Sequence, residues 1–274
     1  MPSRESFAYR RAAKLRAERA LDDTSSLVDG IYSKAADDFQ TFCTLLDKPP
    51  AAHMLEWYEY LITGESNKYL IDIAGPNVDI LAPRGSAKST CLNMFTAWII
   101  GRHTTAKKPL QIIYVSYNIN TAIPKSRIIR QIIDSPEFRK VFPKVKLKAG
   151  MQSDIGWAVD FDYAGINRTG EEEFTLRAAG LRGSITSKRA HLVIVDDPIK
   201  SSADIKNPTI REEMNNNWSS VIAPIIFEGG RAICLGTRFH PLDIHKTMFI
   251  SDKGWQQVTQ EAVSYTHLTL PTKA

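Results

Sequence analysis

Four short runs constrain this chain more than anything else in it: NVDILAP at 77–83, QIIYVSY at 111–117, HLVIVDD at 191–197 and RAICLGTRF at 231–239. Each is nearly continuous in apolar residues instead of alternating, which is the pattern of a strand buried on both faces. Helical patterns lie between them. Cys91, Met94, Phe95 and Trp98 recur on one helical face, IPKSRIIRQII (123–133) reads as a second helix and REEMNNNWSSVI (211–222) as a third. EEFTLRAA (172–179) is a further candidate strand. Ahead of the first strand, PPAAHMLEWYEYLI (49–62) opens on a proline pair and then spaces Met54, Trp57, Tyr58 and Leu61 helically. This alternation predicts an α/β fold, a mainly parallel sheet with helices on both faces.

The rest of the composition narrows the setting. No apolar run reaches the ~18 residues of a membrane span, and the N-terminus has no apolar signal core. Cys43, Cys91 and Cys234 are far apart, without metal-ligand spacing, and read as small core residues in a reducing cytoplasm. No internal repeat is visible. A net charge of +5 is compatible with a polyanionic partner. Two segments concentrate that charge. The first twenty residues hold six Arg or Lys against two Glu, and residues 125–148 hold eight against two acids. The first is a solvated basic helix, or an arm docking DNA or another subunit, ended by DDTSS at 22–26. In the second, Lys144, Lys146 and Lys148 alternate with apolar residues and would make one face positive, suited to DNA phosphates without reading sequence. A merely solvated face explains them equally well.

LAPRGSAKST (81–90) follows the first strand and opens a helix. It matches the phosphate-binding pattern G-x-x-x-x-G-K-[ST] at Lys88 and Ser89, but Ala82 and Ala87 stand where the pattern has glycines. Such a loop points backbone N–H groups at phosphate oxygens from a helix N-terminus. Alanine adds only a methyl group there, and Gly85 remains. On this reading residues Pro83, Arg84, Gly85, Ser86, Ala87, Lys88, Ser89 and Thr90 surround the phosphates. Lys88 reaches the β- and γ-phosphates and Ser89 binds Mg²⁺. The plain alternative is a strand-to-helix turn with an exposed lysine.

HLVIVDDP ends an apolar strand in two adjacent carboxylates, which a buried strand does not carry without cause. In an ATPase of this type the first, Asp196, supports Mg²⁺, and the second, Asp197, orients or deprotonates the attacking water. Asp197 is one methylene shorter than the glutamate common at that position. CLGTRFHPLD (234–243) ends a third strand, with Thr237 placed to sense the γ-phosphate and Arg238 beside it. His240 and Asp243 follow in the same loop, and His-x-x-Asp alone does not specify a metal site.

Together APRGSAKST, HLVIVDDP and LGTRFHPLD, with VSYNINTAIPKSRIIRQI and GLRGSITSKRAHLV between them, resemble the ATPase domain of the large terminase subunit of tailed bacteriophages over residues 50–263. The resemblance implies an additional-strand P-loop NTPase fold preceded by an N-terminal helical segment. It implies a motor that hydrolyses ATP with Mg²⁺ to pump double-stranded DNA into a procapsid. It further implies a pentamer at the portal protein, a small terminase subunit as partner, and residence in the host cytoplasm. Arg84 then stabilises charge on the transferred phosphoryl group, in cis, or reorients between nucleotide states. Arg182, Lys188 and Arg189 are candidates for contacts to DNA or a neighbouring subunit. The expected division is an arm at 1–48, an ATPase domain at 49–263 and an unrelated tail at 264–274. Large terminases carry a nuclease domain after the ATPase, so no nuclease site is expected in this chain. Two other readings stay open: a helicase-like DNA-dependent ATPase, and a nucleotide-gated DNA-binding module without turnover.

Overall fold

The computed structural model describes residues 29–166, 174–183, 185 and 188–261; the basic arm at 1–20 and the tail at 264–274 lie outside them. The four apolar runs are strands: β1 Asn77–Leu81, β2 Ile112–Ser116, β6 Ala190–Asp196 and β7 Ile226–Gly236. β3 Leu147–Gln152, β4 Gly156–Val159, β5 Leu176–Gly180 and β8 Trp255–Thr259 complete one sheet, in the order β3-β4-β5-β2-β6-β7-β1-β8. From β5 to β8 every pairing is parallel. β3 and β4 add an antiparallel edge.

The apolar continuity of the central strands follows from burial on both faces. In β6, Leu192 and Ile194 pack into one core, and Val193 and Val195 into another. β2 divides the same way, Ile112 and Tyr114 to the first core, Ile113 and Val115 to the second. The first core is closed by a helix at 29–37 (α1), α2 Phe39–Leu45, α3 Ala52–Leu61, α4 Lys88–Thr105, α5 Ile119–Asp134 and α6 Pro136–Val141. The second is closed by α7 Ser202–Lys206, α8 Pro208–Asn217 and two π-helical turns, Trp218–Ile222 and His245–Ile250. Each large side chain fully withdrawn from water contributes about 1.5–3 kcal/mol. Trp57, Phe95 and Trp98 beneath α3 and α4 are therefore principal anchors.

Three elements depart from the sequence expectation. α4 is buried on nearly every side, not on the single stripe of Cys91, Met94, Phe95 and Trp98. α5 starts at Ile119, ahead of the expected Ile123, because Asn118 and Thr121 form a reciprocal capping box. Pro124 consequently sits inside the helix and cannot donate to the carbonyl of Asn120. Finally, Lys144 and Lys146 precede β3 and only Lys148 lies in it, so the three do not share one strand face. Cys43, Cys91 and Cys234 are free and buried. Among the described residues no helix is long and apolar enough to cross a membrane.

Candidate nucleotide site

The strand order gathers the motif residues. β7 lies between β1 and β6, so the loop after β1 and the carboxylates closing β6 meet at the C-terminal edge of the sheet, with the end of β7 between them. Open α/β sheets bind ligands at this edge. The loop continues the β1 pairing through Ala82 N–H, which donates to the Gly236 carbonyl at 2.9 Å. It then turns at Gly85 (φ +82°) and at Ala87 (φ 56°, ψ 29°), which is the residue before α4. Ala87 thus adopts the left-handed conformation that a glycine would take freely, at a cost of about 1–2 kcal/mol. The turn keeps its shape despite the missing glycine. Ser86 Oγ closes the loop by donating to the Pro83 carbonyl (2.8 Å), and His53 of α3 braces it from outside, Nε2 donating to the Ser86 carbonyl at 3.1 Å.

Lys88 is buried at the first position of α4. Its ammonium donates to the carbonyls of Pro83 (2.8 Å) and Ala82 (3.3 Å) and to Thr237 Oγ1 (3.0 Å). Thr237 in turn donates to the Ala82 carbonyl at 2.8 Å, so the end of β7 is bonded to both the loop and its lysine. Gly236 is required beside it: a Cβ there would come within 2.5 Å of the His245 ring.

Ser89 Oγ donates to Asp196 Oδ1 at 3.1 Å. The Asp196 carboxylate is fully buried, and its second oxygen accepts from Tyr114 Oη at 2.8 Å and pairs with Lys125 Nζ at 2.6 Å. Ser116 Oγ holds the Asp196 carbonyl at 2.7 Å. Asp197 breaks from the strand in a left-handed conformation (φ 46°), turning its carboxylate into the cleft 3.7 Å from Lys88 Nζ. Burial raises the Asp197 carboxyl above its ordinary value and Asp196 adds to the rise, while Lys88, Lys125 and His245 oppose it. The cleft has a volume of about 440 Å³, with Gly85, Lys88, Ser89, Thr90, Lys125 and Asp197 among its walls.

The other expected residues lie around the cleft or away from it. Arg84 is exposed at the rim of the cleft, donating to the Lys200 carbonyl (2.8 Å) and lying 4.8 Å from the centre of the Phe239 ring. Arg238 turns back on its own loop, 3.2 Å from the Pro241 carbonyl and 3.6 Å from Asp243. Asp243 is buried and accepts from the N–H groups of Phe239 (3.0 Å) and His240 (3.2 Å), so His-x-x-Asp here is a loop staple. Arg182 bonds Tyr117 Oη (3.2 Å) and Glu213 (2.6 Å) near the cleft. Lys188 and Arg189 sit at the opposite end of β6 from Asp196, Arg189 donating to the Pro224 carbonyl at 3.3 Å. Lys146 lies over the Tyr163 ring at 5.4 Å. Sequence reasoning misses Tyr114, His53 and, above all, Lys125, which it counts within a run of surface charge. It also misses a buried pair behind the site, His245 Nδ1 donating to Asp79 at 2.9 Å.

A phosphate-loop geometry after β1, an acidic strand β6 and a strand inserted between them define a P-loop NTPase fold of the additional-strand class. No family model matches the chain, and no curated protein matches it. Among solved structures it is similar to the ATPase domain of the large terminase of Thermus phage P74-26, with 12% identity, a TM-score of 0.46, and coverage of 80% of this chain and 84% of that one. It is similar to the N-terminal domain of the DNA packaging ATPase from bacteriophage phi29, with 13% identity, a TM-score of 0.42, and coverage of 70% and 93%. It is similar also to the HK97 bacteriophage large terminase, with 12% identity and a TM-score of 0.46, the match covering 80% of this chain and 41% of that one.

Proposed function

We propose that this chain is a Mg²⁺-dependent ATPase whose hydrolysis drives double-stranded DNA into a viral procapsid. The observation that carries the ATPase reading is one juxtaposition: Ser89 bonds the buried Asp196 at 3.1 Å while Asp197 faces Lys88 at 3.7 Å, with Lys88, Ser89 and Asp197 lining one cleft. Ser89 and Asp196 offer oxygen donors, which suit Mg²⁺. Bound there, the ion would neutralise charge on the β- and γ-phosphates. Lys88 is already dehydrated and exchanges carbonyl partners for phosphate oxygens. Asp197, with its carboxyl raised toward the working range of a general base, takes the proton of the attacking water. Thr237 reports the state of the γ-phosphate to β7, and Arg84, which among the described residues is held by a carbonyl and a ring face, turns to the phosphates.

The DNA-packaging part rests on the motif resemblance, which brings with it the portal protein, the small subunit, a pentamer and a place in the host cytoplasm at the procapsid. It also brings the division into an arm (1–48) and an ATPase domain (49–263). The test is phosphate release with Mg²⁺, with and without double-stranded DNA, for wild type and Lys88→Ala. Loss of this charge is expected to cost several kcal/mol of barrier, about a hundredfold or more in rate. A folded Lys88→Ala protein that hydrolyses ATP normally removes the site. DNA-stimulated turnover with packaging into procapsids, without strand separation, separates the motor from a helicase-like enzyme.

A further inference from the structure

A cation belonging to the chain stands on the carboxylate that the metal would need. Lys125 Nζ is 2.6 Å from Asp196 Oδ2, the oxygen that also accepts from Tyr114, while Ser89 donates to Oδ1. Asp196 is fully buried, and a buried carboxylate without a counter-charge is strongly disfavoured. Lys125 meets that need from α5, one helical turn after Thr121; both residues line the cleft. Its side chain keeps 18% of its surface exposed, and an ammonium on a flexible four-carbon stem changes partners without moving the backbone.

We propose that Lys125 is a built-in competitor of the metal. In the nucleotide-free protein its ammonium is the counter-ion of Asp196. The Mg²⁺–nucleotide complex is admitted as Lys125 leaves that carboxylate for the phosphates. α5 then reads nucleotide occupancy directly, alongside the loop and β7. This rests on the reading of the cleft as a Mg²⁺-dependent nucleotide site.

The experiment compares the full chain with Lys125→Met in two assays: thermal melts with Mg²⁺ alone, and binding of a fluorescent ATP analogue titrated with Mg²⁺. In wild type, Mg²⁺ alone leaves the Tm unchanged. In the variant it raises the Tm, as does any ion bound only by the native state. The Mg²⁺ concentration that half-saturates analogue binding falls about tenfold, a coupling of ordinary size between two ligands. An equal Mg²⁺ requirement in wild type and folded variant, with no Mg²⁺-dependent rise in Tm, overturns the proposal and leaves Lys125 a fixed structural partner. Lys125→Gln keeps a hydrogen-bond donor without the charge and carries the same expectation should the methionine variant not fold. Failure of every protein to bind the analogue would remove the ATP reading, and the Mg²⁺-only melts would still decide the role of Lys125.

Discussion

Arg231 opens the apolar half of β7 and is fully buried, yet it has no carboxylate partner among the described residues. Its guanidinium donates to four carbonyls: Pro76 (2.7 Å), Leu61 (3.1 Å), Ile73 (3.1 Å) and Tyr60 (2.6 Å). Tyr60 and Leu61 end α3, where the last carbonyls of a helix lack intrahelical donors. Arg231 therefore caps α3 from across the fold and ties the α3–β1 connection to the sheet. Burial pulls its pKa down to about 10. Arg231→Met keeps much of the volume and strips all four carbonyls of this donor. At about 1 kcal/mol or more each, the loss is about 4 kcal/mol, and relief of the buried charge offsets part of it, leaving about 2–4 kcal/mol. For a domain of this size that lowers the Tm by roughly 10 °C. Urea unfolding followed by circular dichroism is the assay, with an unchanged m-value expected. Arg231→Lys, with a charge but only three donors, recovers part of the loss. α3 also carries His53, which braces the phosphate loop, so nucleotide affinity falls in the methionine variant even where it is folded. An unfolding free energy within about 0.5 kcal/mol of wild type would refute the capping argument, since that is the size of an ordinary surface substitution.

Asp197→Asn should bind Mg²⁺ and nucleotide and lose about a hundredfold or more in turnover, measured by single-turnover phosphate release; wild-type turnover would place the base elsewhere. Because the Asp197 carboxyl is raised, the acid limb of the wild-type rate lies above the ordinary carboxylate value of 3.8, and the asparagine variant lacks it in a pH–rate profile. The same shift gives a stability contribution that is full below 3.8 and lost as pH rises through the folded value. Asp197→Asn is thus expected to melt slightly higher than wild type at neutral pH. Replacing Lys144, Lys146 and Lys148 by Gln should reduce the dependence of log affinity for DNA on log salt by about 0.9 for each phosphate no longer neutralised, with ATP binding unchanged. An unchanged slope would move the DNA surface either to Arg182 beside the cleft or to Lys188 and Arg189 at the opposite edge of the sheet.

The central strands are legible because their environment leaves one pattern. A strand covered on both faces has no solvent side on which polar residues persist, so β1, β2, β6 and β7 stand out as apolar runs. β8 reads as WQQVT and shows no such run, since it pairs with β1 alone at the end of the sheet. β3 is largely solvent-facing and β4 is only four residues long, so neither carries a periodic signal. The helix expected at 123–133 starts later than α5, which begins at Ile119. A capping box ahead of Pro124 sets the true start, and the helix tolerates the missing N–H.

The site divides along the same line, between groups whose partners are near in sequence and groups whose partners are not. Lys88, Ser89, Asp196 and Asp197 declare themselves because each sits where a strand meets a loop or helix start, and local context marks that place. Thr237 stands out the same way, at the end of β7. Lys125 and Arg231 carry no such mark. Each is a basic residue in a polar or mixed stretch, and each gains its role only when the sheet order brings distant groups against it: Asp196 for the one, the end of α3 for the other. A buried charge is stable only with its partner in place, so such residues cannot be read as functional until the topology is known. Once it is known, both stand out, because each partners buried polar groups contributed by distant parts of the chain. The alanine at position 87 is the converse. Its departure from the glycine pattern is visible in the sequence and suggests a weaker loop. The backbone takes the left-handed turn regardless, held by the Ser86–Pro83 bond, the His53 brace and the three hydrogen bonds of Lys88. Those bonds together outweigh the about 1–2 kcal/mol that a Cβ costs in that conformation, so the geometry of the loop survives without its glycine.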